Sequence, residues 1–114
     1  MSTRATSASQ STQKPLRLTR ARRTALLKAL ADPRRFELLE HIAKAQCPLG
    51  CTQARASLPI SAATLSHHIK ELETAGLICV RREGKFHYLS LKPGVLSALA
   101  SGLTLLEQPA CPNR

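Results

Sequence analysis

The sequence predicts a mainly α-helical domain with one small β-hairpin, on three observations. Leucine-rich stripes recur at helical spacing through four stretches of the chain. After Gly76 the period changes to two β-prone runs. Large aromatics are scarce, with no Trp, one Tyr (Tyr88) and two Phe (Phe36, Phe86), so the core must be aliphatic. At 114 residues and 43% hydrophobic, the chain holds about one domain's worth of material.

The first helix is expected over Leu18–Ala31, with Thr19 as N-cap and Leu26, Leu27 and Leu30 as its stripe. Asp32-Pro33 starts a second helix, because Asp caps and Pro is tolerated at the first helical position. Phe36, Leu38, Leu39 and Ile42 supply its buried face to about Ala45. Pro48 and Gly50 make 46–51 a loop. Two helical turns capped by Thr52 follow, and Leu58-Pro59-Ile60 interrupts them. Ser61 caps a helix over Ala62–Ala75, whose Leu65, Ile69 and Leu72 share a face. Gly76 is placed to end it in a left-handed conformation. Leu77–Glu83 and Lys85–Leu91 read as a hairpin hinged at Glu83-Gly84, with His87 on the face of Leu89 and Leu91 as a partly buried packing residue. Pro93 opens a last helix with Val95, Leu96, Leu99, Leu103 and Leu106 on one stripe, and Pro109 and Pro112 end ordered structure.

Seventeen Lys and Arg against seven Asp and Glu give a net charge of +10, which favours a polyanionic partner. Residues 1–24 contain six basic residues and no acid. The Ser/Thr/Gln-rich stretch 1–15 is expected to be a disordered basic arm, 16–107 the folded domain and 108–114 a disordered end. So few carboxylates argue against an enzyme. No apolar run approaches the ~20 residues that span a bilayer, and the first residues lack the apolar core of an export signal. A cytoplasmic location is therefore expected, where the four cysteines act as ligands or redox groups rather than staples.

Short helix, turn, longer helix and basic hairpin is the order of a winged helix-turn-helix. A helix that enters the ~12 Å major groove must expose small or hydrogen-bonding side chains there. Ser61, Ala63, Thr64, Ser66, His67 and Lys70 meet that need, and Arg81, Arg82 and Lys85 would carry the wing. Consecutive helical residues point ~100° apart, so at most one of His67 and His68 lies against the core.

Three stretches, LLKALADPRRFELLEHI (26–42), LPISAATLSHHIKELETAGLI (58–78) and RREGKFHYLSL (81–91), resemble the ArsR/SmtB-type winged helix-turn-helix transcriptional repressors. The resemblance implies a homodimer that represses transcription on a double-stranded DNA operator and leaves it when an inducer binds. It also implies a dimer interface from the first and last helices, here Leu26, Leu30, Val95, Leu96, Leu99, Leu103 and Leu106. The family's Cys-x-Cys site for arsenicals and soft metals would fall on Gly50 and Thr52, neither of which is Cys. Its zinc site on the last helix is absent, since 93–114 has no His and no Asp. Cys47 and Cys51, with Cys111, leave open a soft metal or metalloid ion, or a thiol modification, as the signal. Cys51 as a small buried hydrophobe and Cys79 as an inert strand residue are the alternative. The sequence also leaves two rival functions open. One is a non-specific nucleic-acid or architectural protein driven by charge alone. The other is a thiol enzyme or metal chaperone built on Cys47 and Cys51, which needs a base close in space, with His41 a candidate whose distance the sequence does not give.

Overall fold

The computed structural model describes residues 17–45 and 48–108. Among these described residues five helices and three short strands follow one another: α1 Arg20–Leu30, α2 Pro33–Lys44, β1 Leu49–Gly50, α3 Cys51–Ser57, α4 Ala62–Ala75, β2 Ile78–Glu83, β3 Phe86–Leu91 and α5 Val95–Leu105. The caps form where local chemistry demands them. Thr19 accepts the Arg22 N–H, Asp32 accepts those of Arg34 and Arg35, and Ser61 accepts that of Thr64. Arg35 reaches back so that its Nε donates to the Ala29 carbonyl at 2.8 Å, covering the end of α1 and fixing the corner between α1 and α2.

Gly76 ends α4 at φ +88°, donating to the Glu73 and Leu72 carbonyls, while Leu77 donates to Leu72. This paired arrangement requires a residue at ease in left-handed space. A Cβ there would also lie 2.9 Å from the Arg22 guanidinium. The chain therefore leaves the helix sharply and enters β2 two residues later.

The strands form an antiparallel sheet in the order β1-β3-β2, with Leu49 opposite Leu89 and Val80 opposite Leu89 on the other side. The hairpin turn is Gly84-Lys85, because Glu83 and Phe86 still pair. Gly84 at φ +62° takes the first turn position, where a twisted two-residue hairpin needs glycine. Leu26, Leu38, Leu72, Leu77, Leu89 and Val95 are fully buried and join every layer into one aliphatic core.

Several expectations are corrected. Leu26, Val95 and Leu99 lie inside this core rather than on a dimer seam, and only Leu96, Leu103 and Leu106 of the α5 stripe stay exposed, with Leu30 half-buried. Phe36 is 43% exposed, since it sits roughly 110° round the helix from the stripe of Leu38, Leu39 and Ile42. Thr52 is not the cap of α3: Gly50 takes that place, and its N–H donates to Gln53 Oε1 at 3.0 Å. The loop before α3 contains strand β1, making a three-stranded sheet of the expected hairpin. Pro93 stands in a turn with Gly94, and α5 begins only at Val95. His87 does share the face of Leu89 but is exposed, because β3 has run past the core at that point. The expected arm at 1–15, and all but Gln108 of the expected end at 108–114, fall outside the described residues.

Candidate nucleic-acid interface

The inner stripe of α4 is Leu65, His68, Leu72 and Ala75, all buried. That stripe fixes the helix's rotation and turns every other residue of its N-terminal half toward solvent. Ser61, Ala63, Thr64, Ser66, His67 and Lys70 are all exposed, as a groove-reading face requires. Two of them already have partners: Ser61 Oγ caps the helix and donates to Thr64 Oγ1 at 3.0 Å. Their hydroxyls shape the helix entry, which leaves Ala63, Ser66, His67 and Lys70 free to meet a partner.

The wing residues Arg81, Arg82 and Lys85 are exposed too, but they differ in how they are held. Strand alternation sends Arg81 and Arg82 to opposite faces of the sheet. On the outer face, Arg81 bonds Glu83 at 2.8 Å, and its guanidinium lies 5.0 Å from the centre of the Tyr88 ring. On the inner face, Arg82 makes two contacts to the Glu73 carboxylate of α4, at 3.2 and 3.4 Å. Lys85 projects from the turn.

Between α3, α4 and the inner face of the wing runs an open cleft of about 550 Å³. Leu65 and Ile69 form part of its floor, and Arg55, Lys70, Arg82 and His87 its basic rim. Arg55 and His87 escaped the reading of the sequence as interface residues. The one available signal was their positive or titratable character, which they share with many surface residues; only the fold brings them beside Lys70.

Residues 30–81 match the helix-turn-helix domain family. An HTH-type transcriptional regulator of Mycobacterium tuberculosis is 37% identical over 75 residues, covering 66% of this chain and 68% of that protein. The arsenical resistance operon repressor of Staphylococcus aureus is 28% identical over 82 residues, covering 72% of this chain and 77% of that one. The chain belongs to the ArsR-type winged helix-turn-helix transcriptional regulators. A homodimeric winged helix-turn-helix DNA-binding domain from Mycobacterium bovis shares this ArsR-type fold at a TM-score of 0.58, with 22% identity and coverage of 75% and 76% of the two chains.

Two of the four cysteines, Cys51 and Cys79, fall among the described residues of this ArsR-type domain. Cys47 and Cys111 lie outside the described residues, Cys51 is half-buried at the start of α3, and Cys79 is exposed on β2. Burial pushes the Cys51 thiol above its ordinary value, with the Arg82 charge opposing, so less of it is thiolate at neutral pH. No three His, Cys, Asp or Glu side chains among the described residues converge on a point that would hold a metal ion. No described helix is long and apolar enough to cross a membrane.

His68 has a different character from its neighbour. It is 6% exposed, and its Nδ1 has no hydrogen-bond partner. Burial holds its pKa below the ordinary 6.5; Asp32 opposes that shift, while Arg35 and His67 add to it. The folded state therefore binds fewer protons than the unfolded state just below that value. The stability linked to His68 is complete above pH 6.5 and falls as the pH drops through it. Asp32, held low by the Arg35 and Arg34 N–H groups, loses its contribution only below its ordinary 3.8. Urea midpoints recorded between about pH 7.5 and pH 5 should fall in the wild type and fall less in His68→Phe. Equal slopes in the two proteins would assign the acid sensitivity elsewhere.

Proposed function

We propose that the protein is a homodimeric, sequence-specific repressor of transcription that docks α4 in the major groove of double-stranded DNA. The observation that carries this reading is the exposed face of α4. Ala63, Ser66, His67 and Lys70 are short, hydrogen-bonding or cationic and stand clear of the core, while basic wing residues flank them. A binder relying on charge alone has no need of such a face. The repressor reading is supported by the Staphylococcus aureus relative, and the dimer by the homodimeric Mycobacterium bovis domain.

The chain's own surface also supports the dimer. Helix α5 has no charged residue, and the stripe that buries Val95 and Leu99 continues outward through Leu103 to Leu106, which are 42% and 80% exposed. Leu96, and Leu27 on α1, are exposed as well. An exposed apolar stripe of this kind marks an interaction surface, and a second copy would supply the matching stripe. The folded domain is then 16–107, with the basic arm 1–15 adding contacts to phosphate.

Fluorescence anisotropy with the duplex upstream of the protein's own gene tests this function. A preference over a scrambled duplex of about 10³-fold or more is expected at physiological salt. Equal affinity for both duplexes would leave only the charge-driven reading.

A further inference from the structure

The cleft between α4 and the wing has a basic rim and one internal acid. Arg55 comes from α3, Lys70 from α4, and Arg82 and His87 from the wing; Glu73 is the only carboxylate among the residues that line it. That carboxylate lies in the fork of the Arg82 guanidinium, with Nη2 to Oε1 at 3.2 Å and Nη1 to Oε2 at 3.4 Å. Two oxygens held side by side by a guanidinium are what the non-bridging oxygens of a phosphodiester also present. The pair is open to solvent, at 54% exposure for Arg82 and 35% for Glu73, so little free energy resists its exchange.

We propose that this cleft seats one phosphodiester of the duplex backbone, and that Glu73 occupies the seat as an internal stand-in until DNA displaces it from Arg82. The proposal rests on the reading of the chain as a duplex-binding regulator and adds a residue that limits affinity. In the free protein Arg82 is neutralised. On docking, the phosphate takes over the guanidinium with Lys70 and Arg55 beside it, and the released Glu73 carboxylate stands close to the backbone charge. Glu73 thereby weakens binding to every duplex alike, which leaves a larger share of the affinity to base contacts made by α4.

A strut that merely fixed the wing to α4 would predict the opposite sign, so the substitution Glu73→Gln separates the two roles. Anisotropy across a salt series, with the upstream duplex and its scrambled version, is the measurement. Glu73→Gln should bind both duplexes roughly three- to ten-fold more tightly at ~0.1 M salt, with a salt slope steeper by up to about 0.9. Arg82→Gln should weaken both, and Glu73→Gln should gain clearly less in the Arg82→Gln background, where no guanidinium is left to be freed. Binding that is unchanged or weaker in Glu73→Gln overturns the proposal. So does an equal gain in the Arg82→Gln background, which would mark a mere change in net charge. A wild type that does not distinguish the two duplexes sinks the repressor reading instead, and leaves this test readable, because both duplexes carry the same phosphates.

Discussion

Replacing Leu96 and Leu103 together by glutamate is expected to turn the proposed dimer into a monomer and to lower operator affinity by about two to four orders of magnitude. Both side chains are large, apolar and well exposed, at 39% and 42%, on a helix with no charge of its own. They lie beside Leu99, which is buried, so the stripe belongs half to the protomer and half to whatever covers it. Carboxylates there remain solvated in a monomer. In a symmetric seam each copy would bury two charges against its partner's leucines, and a buried unpaired charge is strongly unfavourable. Two recognition helices tied together act on two half-sites about one helical turn apart, and separation removes that gain without touching a base contact. Sedimentation velocity should show the change in mass, and circular dichroism should show an unchanged helical signal. A double variant that still sediments as a dimer would move the seam away from α5.

The same helix shows what the sequence could and could not disclose. Its apolar stripe was legible from spacing, yet spacing cannot say where the protomer's core stops. Val95 and Leu99 turn inward while Leu103 and Leu106 do not, and only the packed fold draws that line. Local chemistry fared best. Thr19, Asp32 and Ser61 cap their helices and Gly76 takes the left-handed position, because each depends on residues at most four away. Strand β1 was hidden for the opposite reason. Two residues carry no periodicity, and Leu49 becomes a strand only by pairing with Leu89, forty positions later. The exposed face of α4 was legible because Leu65 and Leu72 of its stripe were, although His68 and Ala75 are buried beside them and the expected Ile69 is only half-buried. The cleft beside it was not: Arg82 meets Glu73 only after the chain reverses at Gly76, and Arg55 arrives from another helix. Charge counting placed a wing here but could not see that two of its three cations are already engaged.

Truncating Leu72 to alanine should have the largest effect on the fold, about 2–5 kcal/mol of lost stability. Leu72 is fully buried in the core, on the stripe that seats α4 against the rest of the domain. Against the roughly 5–15 kcal/mol of a typical domain that loss is a large fraction, so a clear drop in Tm should appear in a thermal melt. The spread of the estimate reflects how far the aliphatic neighbours can close the void. His67→Ala provides the contrast. His67 is exposed on the opposite side of the same helix, so its removal should leave the melt within about 0.5 kcal/mol of wild type. It should instead alter discrimination among operator sequences. If Leu72→Ala melted like the wild type, α4 would be held by something other than its buried stripe. The argument for which residues it turns toward DNA would then fail with it, because that orientation rests on Leu65, His68, Leu72 and Ala75 packed inward.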